Sequence, residues 1–395
     1  MQAFMRSMLM ALGILVAAGS HALAATIQTF QTFPGASEPL ALSGDGRTLL
    51  LNYYHPAGLG VPGSPQIPAL WTARTGVVAL PTVLPAPPLG GSSPFPTAPV
   101  FASGLSFDGS LVSGTATVRR PSDLDEPEGR LFLLQGGSYV DLGTVGTLGG
   151  DRTAMSGDGS VIVGTRTALG LGYPFRWTNG TGILPLGDLG LEGLAWVEDL
   201  ARDGSVIVGE AWSADLHARV PFRWTERTGM MTVPIPVPAA APGTSNAPIA
   251  LGTRVSADGA VIVSTVGGYG VAPTAYRWTE RDGAQVLGGF TALGLSGDGS
   301  VVVGRSDGGA VLWTAQDGLL DLESLLARTG ERLPISGMRV DSLNFVSDDG
   351  RTFVGMLTNG NTSTPFLFKA RAPLHRPRSA WAAQPIPRGR SDRDD

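Results

Sequence analysis

A short motif, Ser-x-Asp-Gly followed by β-branched residues, recurs along most of the chain, as in MSGDGSVIVG at 155–164 and LSGDGSVVVG at 295–304. Its Asp-Gly pair occurs at Asp45-Gly46, Asp108-Gly109, Asp158-Gly159, Asp203-Gly204, Asp258-Gly259, Asp298-Gly299 and Asp349-Gly350. A serine lies two residues before the aspartate in six of these seven copies, and Ala201 takes its place in the other. Repetition at this spacing is typical of a protein built from one structural unit repeated in space.

A second motif follows each Asp-Gly pair, as in PFRWTNGTG at 174–182 and PFRWTERTG at 221–229. Asp-Gly favours a two-residue hairpin turn, because glycine adopts positive φ without steric cost. The apolar runs after it, such as 161–163, predict short buried strands. The tryptophan motif predicts a third strand, with its tryptophan packed between sheets, and GILPLGDL at 182–189 a fourth. Each unit is therefore predicted to be one four-stranded sheet.

The two ends of the repeat region are complementary. TIQTFQTF at 26–33 looks like a fourth strand without a unit of its own, and the last unit ends at PFLFKA, 365–370, without a fourth strand. A solenoid is the alternative architecture, but it requires capped ends. We therefore predict an all-β, seven-bladed β-propeller of four-stranded antiparallel blades over residues 25–370, whose ring is closed by the N-terminal strand.

The terminal segments differ from the repeats in composition. Residues 1–24 combine Arg6, an apolar run and Ala22-Leu23-Ala24, which is typical of a secretory signal peptide. Residues 371–395 are rich in Pro and Arg and lack periodicity, which predicts a disordered tail. The chain has no cysteine, so neither disulfides nor a lipoprotein anchor is expected. We expect an exported bacterial protein, periplasmic or secreted.

Charge and composition narrow the choice of partners. Residues 25–370 carry a net charge of −9, which argues against nucleic acid as a partner. The histidines of the mature chain, His55, His217 and His375, are far apart in the sequence, so no zinc site is predicted. No phosphate-binding loop or nucleophile elbow is present. We expect no cofactor and no metal, a monomer, and no transmembrane segment in the mature chain.

The connections between repeats differ in length on one face only. The Asp-Gly turns and the turns after the tryptophan motif are nearly constant, whereas the other two connections of each unit vary, as at 52–68 and 115–129. Variable loops on a fixed scaffold usually carry binding residues. On this face the candidate ligand-binding residues are Tyr53, Tyr54, His55, Arg119, Arg120, Trp196, Glu198, Asp199, Trp212 and His217. No catalytic residue is assigned.

The chain resembles the HAF-repeat family of bacterial extracellular repeat proteins. The resemblance is carried by YVDLGTVGTLGGDRTAMSGDGSVIVG at 139–164 and PFRWTNGTGILPLGDLG at 174–190, and it covers most of residues 35–370. It implies export and a propeller-like fold. It implies no shared catalytic residues.

Three functions remain open from the sequence. The first is a non-catalytic exported binding or scaffold propeller for an extracellular ligand, a glycan or a protein. The second is a carbohydrate-active enzyme, a glycoside hydrolase or polysaccharide lyase, that uses loop carboxylates, since glycoside cleavage needs two acids at a defined separation. The third is an autotransporter-like surface protein. The sequence favours a protein without enzymatic activity and leaves an enzyme open.

Overall fold

The structure is a computed structural model that describes residues 27–33, 35–54, 66–81, 100–118, 128–146, 152–168, 170–215, 218–237, 249–268, 270–324 and 337–370. The predicted signal peptide and C-terminal tail lie outside these residues. So do the longest of the variable loops, because the gaps fall mainly between the second and third strands of a unit or between successive units.

The described residues form 28 strands. The first half comprises β1 Ile27–Thr32, β2 Ala36–Leu42, β3 Thr48–Tyr54, β4 Gln66–Thr72, β5 Gly76–Ala79, β6 Val100–Leu105, β7 Leu111–Val118, β8 Glu128–Gln135, β9 Ser138–Gly146, β10 Thr153–Met155, β11 Val161–Ala168, β12 Leu171–Thr178 and β13 Gly182–Pro185. The second half comprises β14 Ala195–Leu200, β15 Ile207–Ser213, β16 Ala218–Thr225, β17 Gly229–Thr232, β18 Ile249–Val255, β19 Val261–Gly268, β20 Val271–Thr279, β21 Gly283–Gly288, β22 Thr291–Leu295, β23 Val301–Ser306, β24 Gly309–Thr314, β25 Gly318–Asp321, β26 Arg339–Val346, β27 Thr352–Thr358 and β28 Ser363–Ala370.

These strands form seven four-stranded antiparallel sheets, the blades of a β-propeller. Blades 1 to 6 are β2–β5, β6–β9, β10–β13, β14–β17, β18–β21 and β22–β25, each in chain order. Blade 7 contains β26, β27 and β28, and β1 pairs with β28 as its outermost strand. The fold predicted from the repeats is confirmed, and β1 occupies the position predicted for the N-terminal strand.

Apolar side chains fill the interfaces between blades. Seven clusters of buried apolar residues are found in the described part of the chain, and each joins two successive blades. Between blades 7 and 1, Phe33 and Leu49 pack with Val354 and Leu367. Trp177 is buried between blades 2 and 3, as predicted for the repeated tryptophans. Since the last cluster joins blade 7 to blade 1, the packing runs around the whole ring.

The serine of the motif organises the turn between the first and second strands. In blade 3, Ser156 Oγ accepts a hydrogen bond from the Val161 N–H at 2.9 Å and donates to Oδ1 of Asp158 at 2.7 Å. The Ser156 N–H also donates to the Val161 carbonyl, so four residues, 157–160, lie between these partners. These hydrogen bonds of Ser156 fix the register of the hairpin. The predicted two-residue turn is wrong, because the serine closes a longer loop.

Backbone hydrogen bonds join these turns around the ring. The residue between serine and aspartate, called here the x residue, donates its N–H to the carbonyl of the x residue of the next blade. The bonds are Phe107 to Gly157, Gly157 to Arg202, Arg202 to Ala257, Ala257 to Gly297, Gly297 to Asp348 and Asp348 to Gly44, at 2.7–3.1 Å. The seventh bond starts from Asp45, which donates to the Phe107 carbonyl at 3.0 Å. The bonds therefore return from blade 7 to blade 1.

Deleting residues 26–33 should lower the Tm by roughly 5 °C or more, because it exposes the edge of β28 and removes the buried Phe33 from the interface of blades 7 and 1. Thermal unfolding followed by circular dichroism measures the change. Deleting an equal length of the tail, 388–395, is the control. An unchanged Tm after removal of 26–33 would show that β1 is dispensable.

Replacing Gly159 with alanine should cost roughly 1–3 kcal/mol of unfolding free energy. Gly159 has φ +73°, and a Cβ there would lie 2.4 Å from Cδ1 of Leu111 in the preceding blade. Gly180 is the matched control, because it is exposed, lacks a positive φ and has open space around its Cα. Urea denaturation of Gly159→Ala and Gly180→Ala compares the two. Equal stabilities would contradict a structural role for the Asp-Gly glycine.

Candidate functional site

The first strands of the seven blades surround a central channel. It has a volume of about 1480 Å³ and is lined by side chains and backbone of all seven first strands. Each first strand ends at its Ser-x-Asp-Gly motif, so the x residues encircle one mouth of the channel. The strand ends that flank the connections of variable length lie at the opposite mouth, because every strand of a blade reverses direction.

Three large side chains meet at the mouth formed by the x residues. The Arg202 guanidinium from blade 4 forms an ion pair with Asp348 of blade 7 and lies over the ring of Phe107 of blade 2, 4.2 Å from its centroid. Glycines next to them leave the necessary space: a Cβ on Gly157 would lie 2.7 Å from Cγ of Arg202, and one on Gly44 2.4 Å from Cδ2 of Phe107. These side chains narrow this end of the channel.

At two positions of the channel wall, charged residues occur in only two of the seven blades. These two positions lie in the first strand of each blade. They stand three places and two places before the first residue of the motif. From blade 1 to blade 7 they are Leu40 and Ala41, Ser103 and Gly104, Thr153 and Ala154, Glu198 and Asp199, Thr253 and Arg254, Leu293 and Gly294, and Asn344 and Phe345. Only blades 4 and 5 carry charges at these positions. The uncharged residues of the other five blades therefore show that the scaffold does not require charges at these two positions.

Glu198 and Arg254 form an ion pair in this wall. Glu198 is the extra residue of a β-bulge in β14, between the paired residues Val197 and Asp199. Its Oε2 lies 3.2 Å from Nη1 of Arg254 on β18, and the two side chains are 22% and 18% exposed. Arg254 is held in place by its Nε, which donates to the Leu293 carbonyl at 3.0 Å. The pair therefore bridges blades 4 and 5 and borders the channel.

Asp199 ties the same two blades together through the backbone. Its Oδ1 accepts the N–H of Leu200 at 2.9 Å, and its Oδ2 accepts the N–H of Val255 in blade 5 at 3.0 Å. Burial raises the pKa of Asp199 to about 6, and the charge of Arg254 opposes the rise. Both oxygens of this carboxylate are thus engaged with the protein itself.

Glu210 lies behind the ion pair and is fully buried. Its Oε1 accepts hydrogen bonds from the N–H and the hydroxyl of Thr253, at 2.9 and 2.7 Å, and its Oε2 lies 3.3 Å from Nη2 of Arg219. Burial raises the pKa of Glu210 to about 7, with Glu198 adding to the rise and Arg219 opposing it. A carboxyl group in this position titrates near neutral pH.

Blades 3 and 5 have threonine at the position that Glu210 occupies in blade 4. Thr165 Oγ1 accepts the N–H of Val197 in the next blade at 2.9 Å, and Thr265 Oγ1 accepts that of Ala292 at 2.9 Å. A hydroxyl is therefore sufficient for the structural task of capping a backbone N–H across the interface. The acid in blade 4 performs this task and also brings a buried titratable group next to the charged wall.

Trp196 completes the cluster. The Arg219 guanidinium lies over its ring, 4.7 Å from the centroid, and a Cβ on Gly172 would lie 2.6 Å from its Nε1. The ring is therefore packed between blades 3 and 4, and it covers Arg219, which pairs with Glu210.

The structure brings together three of the residues predicted from the sequence: Trp196, Glu198 and Asp199. Their predicted placement in loops is wrong, because all three lie within β14, and Trp212 lies within β15. Tyr53 is a half-buried residue of β3 that packs against the cluster containing Phe33, and burial raises its pKa.

Tyr54 is the last residue of β3, and His55, Arg119, Arg120 and His217 lie outside the described residues. The sequence analysis missed Arg254 and Glu210. Comparing the repeats position by position reveals Glu210, since VIVGE at 206–210 stands against VIVGT at 161–165.

Two features are absent from the described residues. Across the described ranges, no three His, Asp or Glu side chains are grouped so as to hold a metal ion. Within the same residues, no helix has the length and apolar character needed to span a membrane.

The sheet topology and the channel define the class of the protein, a seven-bladed β-propeller. No family model matches the chain, and no curated protein is significantly similar to it.

Similar solved structures include three propeller-type matches. TolB from Acinetobacter baumannii is 12% identical, with a TM-score of 0.43, over 84% of this chain and 65% of that one. Oligogalacturonate lyase from Vibrio parahaemolyticus is 12% identical, with a TM-score of 0.49, over 86% and 96%. The β-propeller domain of the Trilobed protease from Pyrococcus furiosus is 12% identical, with a TM-score of 0.45, over 69% and 83%.

The unfolding free energy of the wild type should fall, relative to Glu210→Thr, as the pH rises from about 4.5 through 7. The pKa of Glu210 in the folded protein lies above its ordinary value of 4.5, so the folded state binds the proton more tightly. The stability this provides below pH 4.5 is lost as the pH passes through about 7. We expect a change of roughly 1–3 kcal/mol, measured by urea denaturation at several pH values. A difference in unfolding free energy between the wild type and Glu210→Thr that does not change with pH would contradict this prediction.

Proposed function

We propose that this chain is an exported, non-catalytic binding propeller, and that its ligand enters the central channel and contacts the Glu198–Arg254 pair. The observation that carries the proposal is the departure from the repeat at blades 4 and 5. At the same two positions the other five blades have uncharged residues, so the scaffold does not need an ion pair there. A partly buried ion pair costs desolvation, which favours a role beyond stability.

The narrow mouth favours entry of the ligand from the other side of the ring. Arg202, Phe107 and Asp348 occupy the mouth on the side of the Ser-x-Asp-Gly turns. The loops of variable length belong to the opposite mouth, and such loops usually adapt a fixed scaffold to its ligand. We therefore propose that the face with the variable loops is the binding surface and that the ligand reaches the charged wall from there.

The carboxylates of the site support binding more than glycoside cleavage. Cleavage needs one acid and one base or nucleophile on either side of a bond. Asp199 accepts backbone hydrogen bonds at both oxygens, and Glu198 is paired with Arg254. These contacts hold the two acids in the wall as fixed parts of it.

Export is proposed from the sequence. Residues 1–24 have the pattern of a signal peptide, and the repeats resemble those of HAF-repeat extracellular proteins. Cell fractionation of the tagged full-length chain tests this part separately.

Replacing Arg254 with glutamine should abolish ligand-induced stabilisation, because the substitution removes the charged donor from the channel wall. The measurement is a Tm-shift screen of the folded protein with amino acids, organic acids, nucleosides and neutral oligosaccharides. A ligand at a hundred times its Kd stabilises by about 2.7 kcal/mol, which is readily detected.

Arg130→Gln is the matched control, because Arg130 is a similarly exposed arginine, paired with Glu128 and Asp141 away from the channel. The proposal predicts shifts that survive Arg130→Gln and vanish in Arg254→Gln. Shifts that survive both substitutions would place binding elsewhere. Turnover of a polysaccharide that is lost in Glu198→Gln would overturn the non-catalytic assignment and favour the carbohydrate-active enzyme.

A further inference from the structure

We propose that the ligand of the channel is a neutral carbohydrate, bound through neighbouring hydroxyl groups at the Glu198–Arg254 pair. This inference rests on the proposed binding function and names the chemical class of its ligand.

The pair presents one acceptor and one donor to the channel. Glu198 uses Oε2 for Arg254, and Arg254 uses Nη1 and Nε for Glu198, Thr253 and Leu293. Among the described residues, Oε1 of Glu198 and Nη2 of Arg254 have no hydrogen-bond partner, and neither atom is fully buried. Since both side chains line the channel, these two atoms are available to a molecule inside it.

The charges around the pair disfavour a charged ligand. A carboxylate that bonded to Arg254 would lie beside Glu198, the acceptor of the same ion pair, and near Asp199. An ammonium group that bonded to Glu198 would lie beside Arg254. Because the two side chains already neutralise each other at 3.2 Å, a charged group would gain little attraction while losing its hydration.

Hydroxyl groups can form hydrogen bonds with both side chains of the pair without the loss of hydration that a charged group would suffer. A hydroxyl donates one hydrogen bond and accepts others, so one hydroxyl donates to Oε1 of Glu198 while its neighbour accepts from Nη2 of Arg254. Hydrogen bonds of a neutral group to charged partners are stronger than those between neutral groups. A sugar ring carries such hydroxyls on adjacent carbons.

The rest of the wall suits the body of a sugar. Leu40, Leu293 and Phe345 line the channel together with the uncharged polar residues Ser103 and Asn344. Glu38 and Arg152 add two charges of opposite sign to the wall, so they leave its net charge unchanged. Apolar side chains pack against the C–H groups of a sugar ring, and polar ones bond its outer hydroxyls. A volume of about 1480 Å³ exceeds that of ordinary small-molecule pockets, so an oligosaccharide is accommodated.

Isothermal titration calorimetry of the folded full-length chain tests the ligand class. The probes are neutral trisaccharides (maltotriose, cellotriose and mannotriose), acidic trigalacturonate, cationic deacetylated chitotriose and zwitterionic tripeptides. We expect a neutral trisaccharide to bind with an affinity that is nearly independent of salt, since screening weakens only charge-dependent binding. Glu198→Gln and Arg254→Gln should each weaken it roughly tenfold to a hundredfold, and Arg130→Gln should leave it unchanged.

Deoxy analogues of the bound sugar test the hydroxyl contact without altering the protein. Removing one of the two neighbouring hydroxyls should weaken binding by a similar factor, and removing a distant one should not. Binding of trigalacturonate, chitotriose or a tripeptide that depends on Arg254 would overturn the ligand class and leave the channel site intact. If no probe or screened compound binds in an Arg254-dependent way, the proposed function fails as well.

Discussion

The hydrogen bond between neighbouring Ser-x-Asp-Gly turns sets the inner radius of the molecule. Six of the seven turns have the serine that, with the aspartate, holds the hairpin together. Each turn donates a backbone hydrogen bond to the next blade, from its x residue in six blades and from Asp45 in blade 1. The same loop therefore makes the hydrogen bonds within its own hairpin and the hydrogen bond to the next blade. The channel exists because seven such loops lie side by side, and the apolar clusters farther out hold the blades at this spacing.

The repeat separates what the scaffold requires from what the protein adds to it. Threonine is enough to cap a backbone N–H between blades, as Thr165 and Thr265 show. Glu210 performs the same task at a higher cost, because a carboxyl group loses more hydration than a hydroxyl when it is buried. The acid, the ion pair in front of it and the stacked Arg219 form one polar seam through an otherwise apolar interface. Additions of this kind are expected where a repeated fold has acquired a ligand.

The fold could be predicted from the sequence because its determinants are local. Turn serines, β-branched runs and unmatched end strands each predict a piece of a blade, and together they predict the ring. The site was predicted only in part. Glu198 and Asp199 stand out as acids, but their partner Arg254 is 56 residues away. The contact depends on which blades are neighbours, and no short motif encodes that.

The side chains at the narrow mouth also make the order of the blades specific. Around the ring, each large x residue, Phe107, Arg202 or Asp348, stands between two small ones, either glycine or Ala257. Moving blade 2 next to blade 4 or blade 7 would place two large side chains where the structure has room for one. The blades look interchangeable in their strands and turns, yet they are not interchangeable in position. Recombination that changes the order of the repeats would therefore be selected against, because of the size of a single residue, the x residue, in each turn.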